Sequence, residues 1–151
     1  MILFRQAQLS DLNAIHHLAM NSGCGITTLS KNNEVLKKRV KWSCESFTQT
    51  INKPCNEYYL FVLEDTDTHQ VLGTSAIEAS TGYETPFYSY KLSKRTRICH
   101  SEAIRSDYEI LSLVNDYQGV SELCTLFLDP LFRKNNNGLL LSKARFLFMA
   151  E

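Results

Sequence analysis

Near the end of the chain Arg133 and Lys134 precede three asparagines, Asn135, Asn136 and Asn137, and then Gly138, directly before the apolar run Leu139 to Met149. Two cations, residues that tolerate left-handed backbone angles and the start of a helix form a device for holding an anion. The first N–H groups of a helix have no internal partners and carry the positive end of its dipole, so a diphosphate placed there satisfies them. An ordinary strand-to-helix turn with solvated charges has the same composition. The glycine patterns of the classical phosphate loops, GxxxxGK[ST] and GxGxxG, do not occur. Three further groups have the types needed for acid, base or nucleophilic work: Glu122, Cys124 and His100. Glu122 takes up a proton if its pKa is raised, and His100 titrates in the useful range. Cys124 has the chemistry to form a thioester, but a cysteine inside a strand is more commonly packing.

Those residues need elements to position them. Ser121 to Leu128 is a short, nearly uncharged run bounded by Gly119 and Pro130, the pattern of a buried strand, and Asp129-Pro130 ends it. Strict alternation puts Glu122, Cys124, Leu126 and Leu128 on one face and Leu123, Thr125 and Phe127 on the other. The segment from Gly138 has high helix propensity, with Ser142, Lys143 and Arg145 as polar breaks, which predicts a helix buried against a sheet. Upstream, Ile2 to Gln6 reads as a first strand. Ser10 is the expected cap of a helix with the stripe Leu12, Ile15, Leu18 and Ala19. His16 and His17 are adjacent, so they point apart and share no metal from one helix face. The segment Asn21 to Gly25 breaks the chain. A second helix starts near Asn32 or Asn33 with Leu36, Val40, Cys44 and Phe47 as its buried stripe, and with Lys41 and Glu45 as an i,i+4 pair. Tyr58 to Leu63 and Val71 to Ala79 form a hairpin, in which Gly73 marks a bulge or a close backbone approach. Tyr108 to Val114 reads as a further strand. Periodicity alone therefore predicts an α+β fold with a mainly antiparallel sheet.

The spacing Arg133-x-x-Asn136-x-Gly138 resembles the acyl-CoA loop of the GNAT acyltransferase superfamily, [RQ]-x-x-G-x-[GA]. The wider wording is more specific. SELCTLFLDP, RKNNNG and LLSKARFLFMAE, with GITTLSKNNEVLKKRV, YLFVLEDTDTHQVLGTSAIEA and TPFYSY, resemble the arginine N-succinyltransferase family. The likeness covers most of the chain and weakens between Lys91 and Gln118. It implies a GNAT-like, mainly antiparallel twisted sheet flanked by helices, with residues 1–151 forming an acyl-CoA-binding N-terminal domain that is incomplete at its C-terminus. It implies transfer of succinyl from succinyl-CoA to the α-amino group of arginine, in arginine catabolism. By the same resemblance the backbone of Leu126 meets succinyl-CoA, Leu128 continues that strand, and Arg133, Asn136, Asn137 and Gly138 hold the diphosphate. The family's glycine is Asn136 here; asparagine takes the same angles if its side chain points away from the phosphates. The family's proton-donor histidine is expected in the C-terminal half of a longer protein, so a missing half or partner subunit is expected as well. The general base stays open between Glu122 and His100. The Gly25–Ser30 loop is expected near the acceptor pocket, with Thr27 and Thr28 as carboxylate binders or local turn formers. Leu139, Leu140, Phe146, Phe148 and Met149 are expected to lack full cover, and a homo-oligomer is one way of covering them. A catalytically inactive CoA-binding or assembly module is the second reading.

Composition excludes other classes. A formal net charge of zero favours neither nucleic acid nor a membrane surface. The aromatics Phe87, Tyr88 and Tyr90 do precede the basic Lys91, Lys94, Arg95 and Arg97, but the patch is short and lacks an RNA-binding motif. The start, Met1-Ile2-Leu3-Phe4, runs at once into Arg5 and Gln6 without the apolar stretch of a secretory leader. The five cysteines, at 24, 44, 55, 99 and 124, are odd in number, widely spaced and without a CxxC pair. They predict reduced thiols in a cytoplasmic protein and no metal site.

Overall fold

The computed structural model describes residues 1–23 and 25–150. The chain forms two compact units, one of residues 1–80 with 121–151 and one of residues 81–120. In the first, strands β1 (Ile2–Gln6), β2 (Tyr58–Asp65), β3 (Gln70–Glu78) and β6 (Glu122–Leu128) form a sheet in the order β1-β2-β3-β6. Every neighbouring pair is antiparallel. Helices α1 (Leu12–Asn21) and α2 (Asn33–Thr48) bury Ile15, Leu18, Ala19, Leu36 and Val40 with Leu60, Val62, Ala76, Cys124 and Phe127. Helix α3 (Asn137–Met149) buries Leu141 in a separate cluster with Leu63, Leu72 and Leu128. Alternate residues of the strands thus feed two cores, as the pleat requires.

Several local expectations change. Ser10 does not cap α1. It lies in the 3-10 turn Leu9–Asp11, and the carboxylate of Asp11 accepts from Gln8 N at 2.8 Å and from Arg5 at 2.7 and 2.9 Å. Arg5 also donates to Glu64 at 2.5 Å, so the first strand, the first turn and β2 are tied by one guanidinium. The buried stripe of α2 includes Ser43 and Ser46, while Cys44 and Phe47 are only partly covered. The serine hydroxyls accept from Leu60 N at 2.8 Å and Tyr58 N at 3.1 Å, amides that lie beyond the β1 pairing. Buried backbone donors need partners, and here α2 supplies them. It starts at the expected place, and Asn32 Oδ1 caps it by accepting from the amides of Glu34 and Val35. Lys41 and Glu45 pair at 3.6 Å.

Gly73 lies at a bulge, where Leu63 pairs with Gly73 and Glu64 already pairs with Val71. It also meets the close approach that its position in the sequence suggests, since a Cβ there lies 2.6 Å from Phe127 O. Phe148 is better covered than expected, packing against Phe47, Tyr59 and Phe61 with ring centroids 4.9–5.7 Å apart. Leu139, Leu140, Phe146 and Met149 are exposed. Arg145, read from the sequence as a polar break, is buried.

The second unit is a long hairpin, β4 (Ser89–Cys99) and β5 (Ile104–Val114), paired from Ser89 with Val114 to Cys99 with Ile104. β5 begins four residues before the expected Tyr108. Cys24 lies outside the described residues; Cys44, Cys55, Cys99 and Cys124 are free thiols. Among the described residues no helix is long and apolar enough to cross a membrane.

Candidate functional site

β6 ends where Asp129 N donates to Leu72 O at 2.9 Å and the Asp129 side chain accepts from Leu131 N at 2.9 Å. That contact caps a 3-10 turn, Pro130–Phe132, with proline at its favoured start. The chain then reverses through Asn135 (φ 52°) and Asn136 (φ 60°), both left-handed. Asparagine tolerates this region better than most residues. Asn137 N donates to Lys134 O at 3.0 Å, and its side chain is buried and donates to Phe132 O at 3.1 Å. The third asparagine is therefore a brace inside the loop rather than a third left-handed residue. The first α-helical bond shown is Leu140 N to Asn136 O, 2.9 Å. Asn136 places no side-chain cap on α3, so the amides of Gly138 and Leu139 meet no capping group among the described residues.

Gly138 and Leu139 line a cavity of about 550 Å³ together with Leu126, Leu128, Arg133, Lys134, Asn135, Asn136, Asn137 and Leu141. All six binding residues expected from the sequence, Leu126, Leu128, Arg133, Asn136, Asn137 and Gly138, line it. The Arg133 Nε donates to Leu128 O at 3.1 Å, which fixes its guanidinium at the wall. Neither Arg133 nor Lys134 forms an ion pair among the described residues. Two unpaired cations, a dipole's positive end and exposed apolar surface from Leu126 and Leu139 suit a ligand with an anionic head and a less polar arm.

The remaining candidates lie elsewhere. Glu122 starts β6 at the far end from this cavity and pairs directly with Glu78 on β3. Side chains so placed lie roughly 4.5–5.5 Å apart at Cβ. Glu78 carries no sequence signal beyond ending a strand, and only the β3–β6 register brings it to Glu122. Burial, and then the Glu122 charge, push its carboxyl up, against an opposing pull from Arg39. Arg39 donates to Thr28 O, so the loop between α1 and α2 reaches the same neighbourhood. Cys124 is buried, and desolvation pushes its thiol up. It stays protonated at neutral pH, which is the packing role and not that of a nucleophile. His100 lies in the β4–β5 turn of the second unit and is exposed. His16 Nε2 contacts Lys31 O at 3.0 Å, and His17 contacts Asn21 at 3.1 Å. Among the described residues no group of three or more His, Cys, Asp or Glu side chains comes together as a metal site.

The raised Glu78 pKa has a stability consequence. The folded state holds a proton above the ordinary value of 4.5, where the unfolded chain has released it. Stability therefore falls as pH rises from that value through the folded pKa. The Glu78→Gln variant removes this loss and melts about 1–3 °C higher than the parent at pH 7.5, converging on it below pH 4.5. Thermal melts from pH 4 to 8 check this; parallel curves contradict it.

An antiparallel sheet with a bulged edge strand, helices on both faces and a helix start opening beside that edge defines the GNAT acyltransferase fold. Residues 2–151 match the family of arginine N-succinyltransferase beta subunits. The arginine N-succinyltransferase of Photorhabdus laumondii is 43% identical over 150 residues, 99% of this chain and 43% of the relative. That of Escherichia coli is 39% identical over the same shares. The solved arginine/ornithine succinyltransferase subunit AI of Pseudomonas aeruginosa superposes with a TM-score of 0.93 at 34% identity, covering 99% of this chain and 46% of that one. A predicted acetyltransferase with acetyl-CoA from Clostridium acetobutylicum shares the fold, with a TM-score of 0.51 at 11% identity, over 99% of this chain and 73% of that one. The chain belongs to the arginine N-succinyltransferase beta subunit family. It spans 43% of the length of the curated relatives it matches.

Proposed function

We propose that this chain is the acyl-donor-binding part of an enzyme that transfers succinyl from succinyl-CoA to the α-amino group of arginine, in arginine catabolism. The observation that carries the reading is the uncapped start of α3, whose residues line one cavity beside β6 with Arg133 and Lys134. The Gly138 and Leu139 amides and the Arg133 guanidinium hold the diphosphate of coenzyme A. Asn136 contributes its left-handed backbone, which turns its neighbours' amides toward the ligand, and Asn137 braces the loop from within. Leu128 and Leu126 form the wall along which the pantetheine arm runs, and the free edge of β6 offers main-chain groups to it.

Glu122 stands four residues from Leu126, roughly 10 Å along a strand that the extra residue shortens. That is too far for proton transfer at a thioester held by Leu126, which needs hydrogen-bond reach or one water. The Glu78–Glu122 pair instead suits the cationic side chain of the acceptor, whose α-amine then lies nearer the thioester. The proton-handling groups are assigned to the part of the protein that corresponds to the rest of the relatives' length, supplied in the same polypeptide, by a partner subunit or by a second copy. The location assigned to the reaction is the cytoplasm.

A second reading, a coenzyme A-binding or assembly module without turnover, is favoured by Asn136, which stands at φ 60° where the resembled motif has glycine. Calorimetry with succinyl-CoA tests the part common to both. Saturable binding is expected. Arg133→Ala weakens it about tenfold, the worth of one charge-assisted contact to a phosphate. No heat with succinyl-CoA, or equal affinity in the variant, contradicts the assignment. Turnover by this chain alone contradicts the placement of the proton-handling groups elsewhere.

A further inference from the structure

The expected alternation of β6 fails at its centre, and the reason is a bulge. Ala76 pairs with Cys124 and Thr74 with Phe127, so three steps on β6 match two on β3 and one residue is extra. Thr125 takes it up at φ 54°. A β-branched residue is an outlier in that region and persists there only where its surroundings impose it. Because of the shift both Cys124 and Thr125 are buried, and Leu126 turns outward to the cavity.

The surroundings do impose it. Thr125 N donates to Thr28 Oγ1 at 3.0 Å, and Thr125 O accepts from Thr74 Oγ1 at 3.0 Å. Tyr58 Oη and Thr125 Oγ1 share a hydrogen bond of 3.0 Å. From α3, Arg145 donates one nitrogen to both Ala76 O and Cys124 O at 3.4 Å. Tyr58, Thr74, Thr125 and Arg145 are all buried. Arg145 has no carboxylate partner among the described residues, and burial holds its pKa below the usual value. An uncompensated cation is costly to bury, so its placement under the bulge is an expensive way to satisfy two carbonyls. Four side chains from four elements thus converge on Cys124 and Thr125, next to Leu126.

We propose that Thr28, Tyr58, Thr74 and Arg145 are positioning residues that hold this bulge so that the Leu126 peptide faces the acyl end of the donor, an inference that rests on the donor site proposed above. Thr28 has a particular place among them. It comes from the loop between α1 and α2, so its hydroxyl ties the loop beside the acidic pair to the strand that carries the donor.

The test compares two probes on the whole chain by calorimetry: succinyl-CoA, and 3′-phosphoadenosine 5′-diphosphate, which has the diphosphate but no pantetheine arm. The parent protein binds both, and succinyl-CoA more tightly. Thr28→Val removes the hydroxyl; it weakens succinyl-CoA about tenfold, one lost hydrogen bond transmitted to the arm, and leaves the diphosphate probe unchanged within twofold. Thr28→Ser restores the difference. Tyr58→Phe, which keeps the ring in the core, shifts the ratio in the same direction and serves if Thr28→Val does not fold. A variant that weakens both probes equally, or neither, overturns the positioning role while leaving the donor site standing. A parent protein that binds neither probe overturns both.

Discussion

Gly138→Asp is expected to leave α3 folded and to weaken coenzyme A binding by more than about a hundredfold, the effect of like charges forced together at one site. A Cβ at Gly138 meets only Leu128 Cδ2, at 3.7 Å, so the position has room, and its φ is not in the left-handed region. The glycine is therefore not needed by the backbone. An aspartate in the first turn of α3 places its carboxylate near the amides that no side chain caps. It acts as an internal substitute for the phosphate and interacts favourably with the dipole, by about 0.3–1 kcal/mol. The variant is thus at least as stable as its parent in urea while its anion site is filled. Stability rising as binding disappears separates a ligand site from an ordinary strand-to-helix turn. If the variant binds succinyl-CoA as the parent does, the α3 amides are not the diphosphate site.

The second large effect is structural. Gly73→Ala brings a methyl to 2.6 Å from Phe127 O, 2.9 Å from Leu141 Cδ2 and 3.1 Å from Leu128 Cα. Two of these three atoms are backbone, so a rotamer change cannot relieve the contact, and β3 and β6 must separate. Overpacking in a closed site costs about 1–3 kcal/mol, and the value here belongs at the upper end because ladder bonds stretch with it. Equilibrium urea denaturation is expected to show a loss of about 3 kcal/mol, with an unchanged m-value. Because the moved strand carries Leu126 and Leu128 along the cavity wall, donor binding weakens even where the protein remains folded. A loss under about 1 kcal/mol contradicts the close approach.

The parts of this molecule that could be read from sequence are those decided locally. Ile2–Gln6 is a strand at the expected residues, and the turn from Asp129-Pro130 into α3 follows from proline and asparagine backbone preferences. The residues lining the cavity were legible because one short loop contributes most of them. Long-range hydrogen bonds decided the rest. A threonine has no local reason to sit at φ 54°; Thr28 and Thr74, 97 and 51 residues away, hold it there. Periodicity counts apolar residues, so it selected Cys44 and Phe47 over Ser43 and Ser46, whose burial depends on amides of β2. Arg145 looks like a wet face until β3 and β6 supply its acceptors. The Glu78–Glu122 pair exists only through strand register.

Amides at the start of α3 that grip the diphosphate of coenzyme A must sense its arrival. The most direct measurement is an amide nuclear magnetic resonance titration of the isotopically labelled chain with succinyl-CoA. Saturable shifts are expected, largest at Gly138 and Leu139, with the Arg133 guanidinium responding in step. No shift at the start of α3 under saturating ligand contradicts that grip.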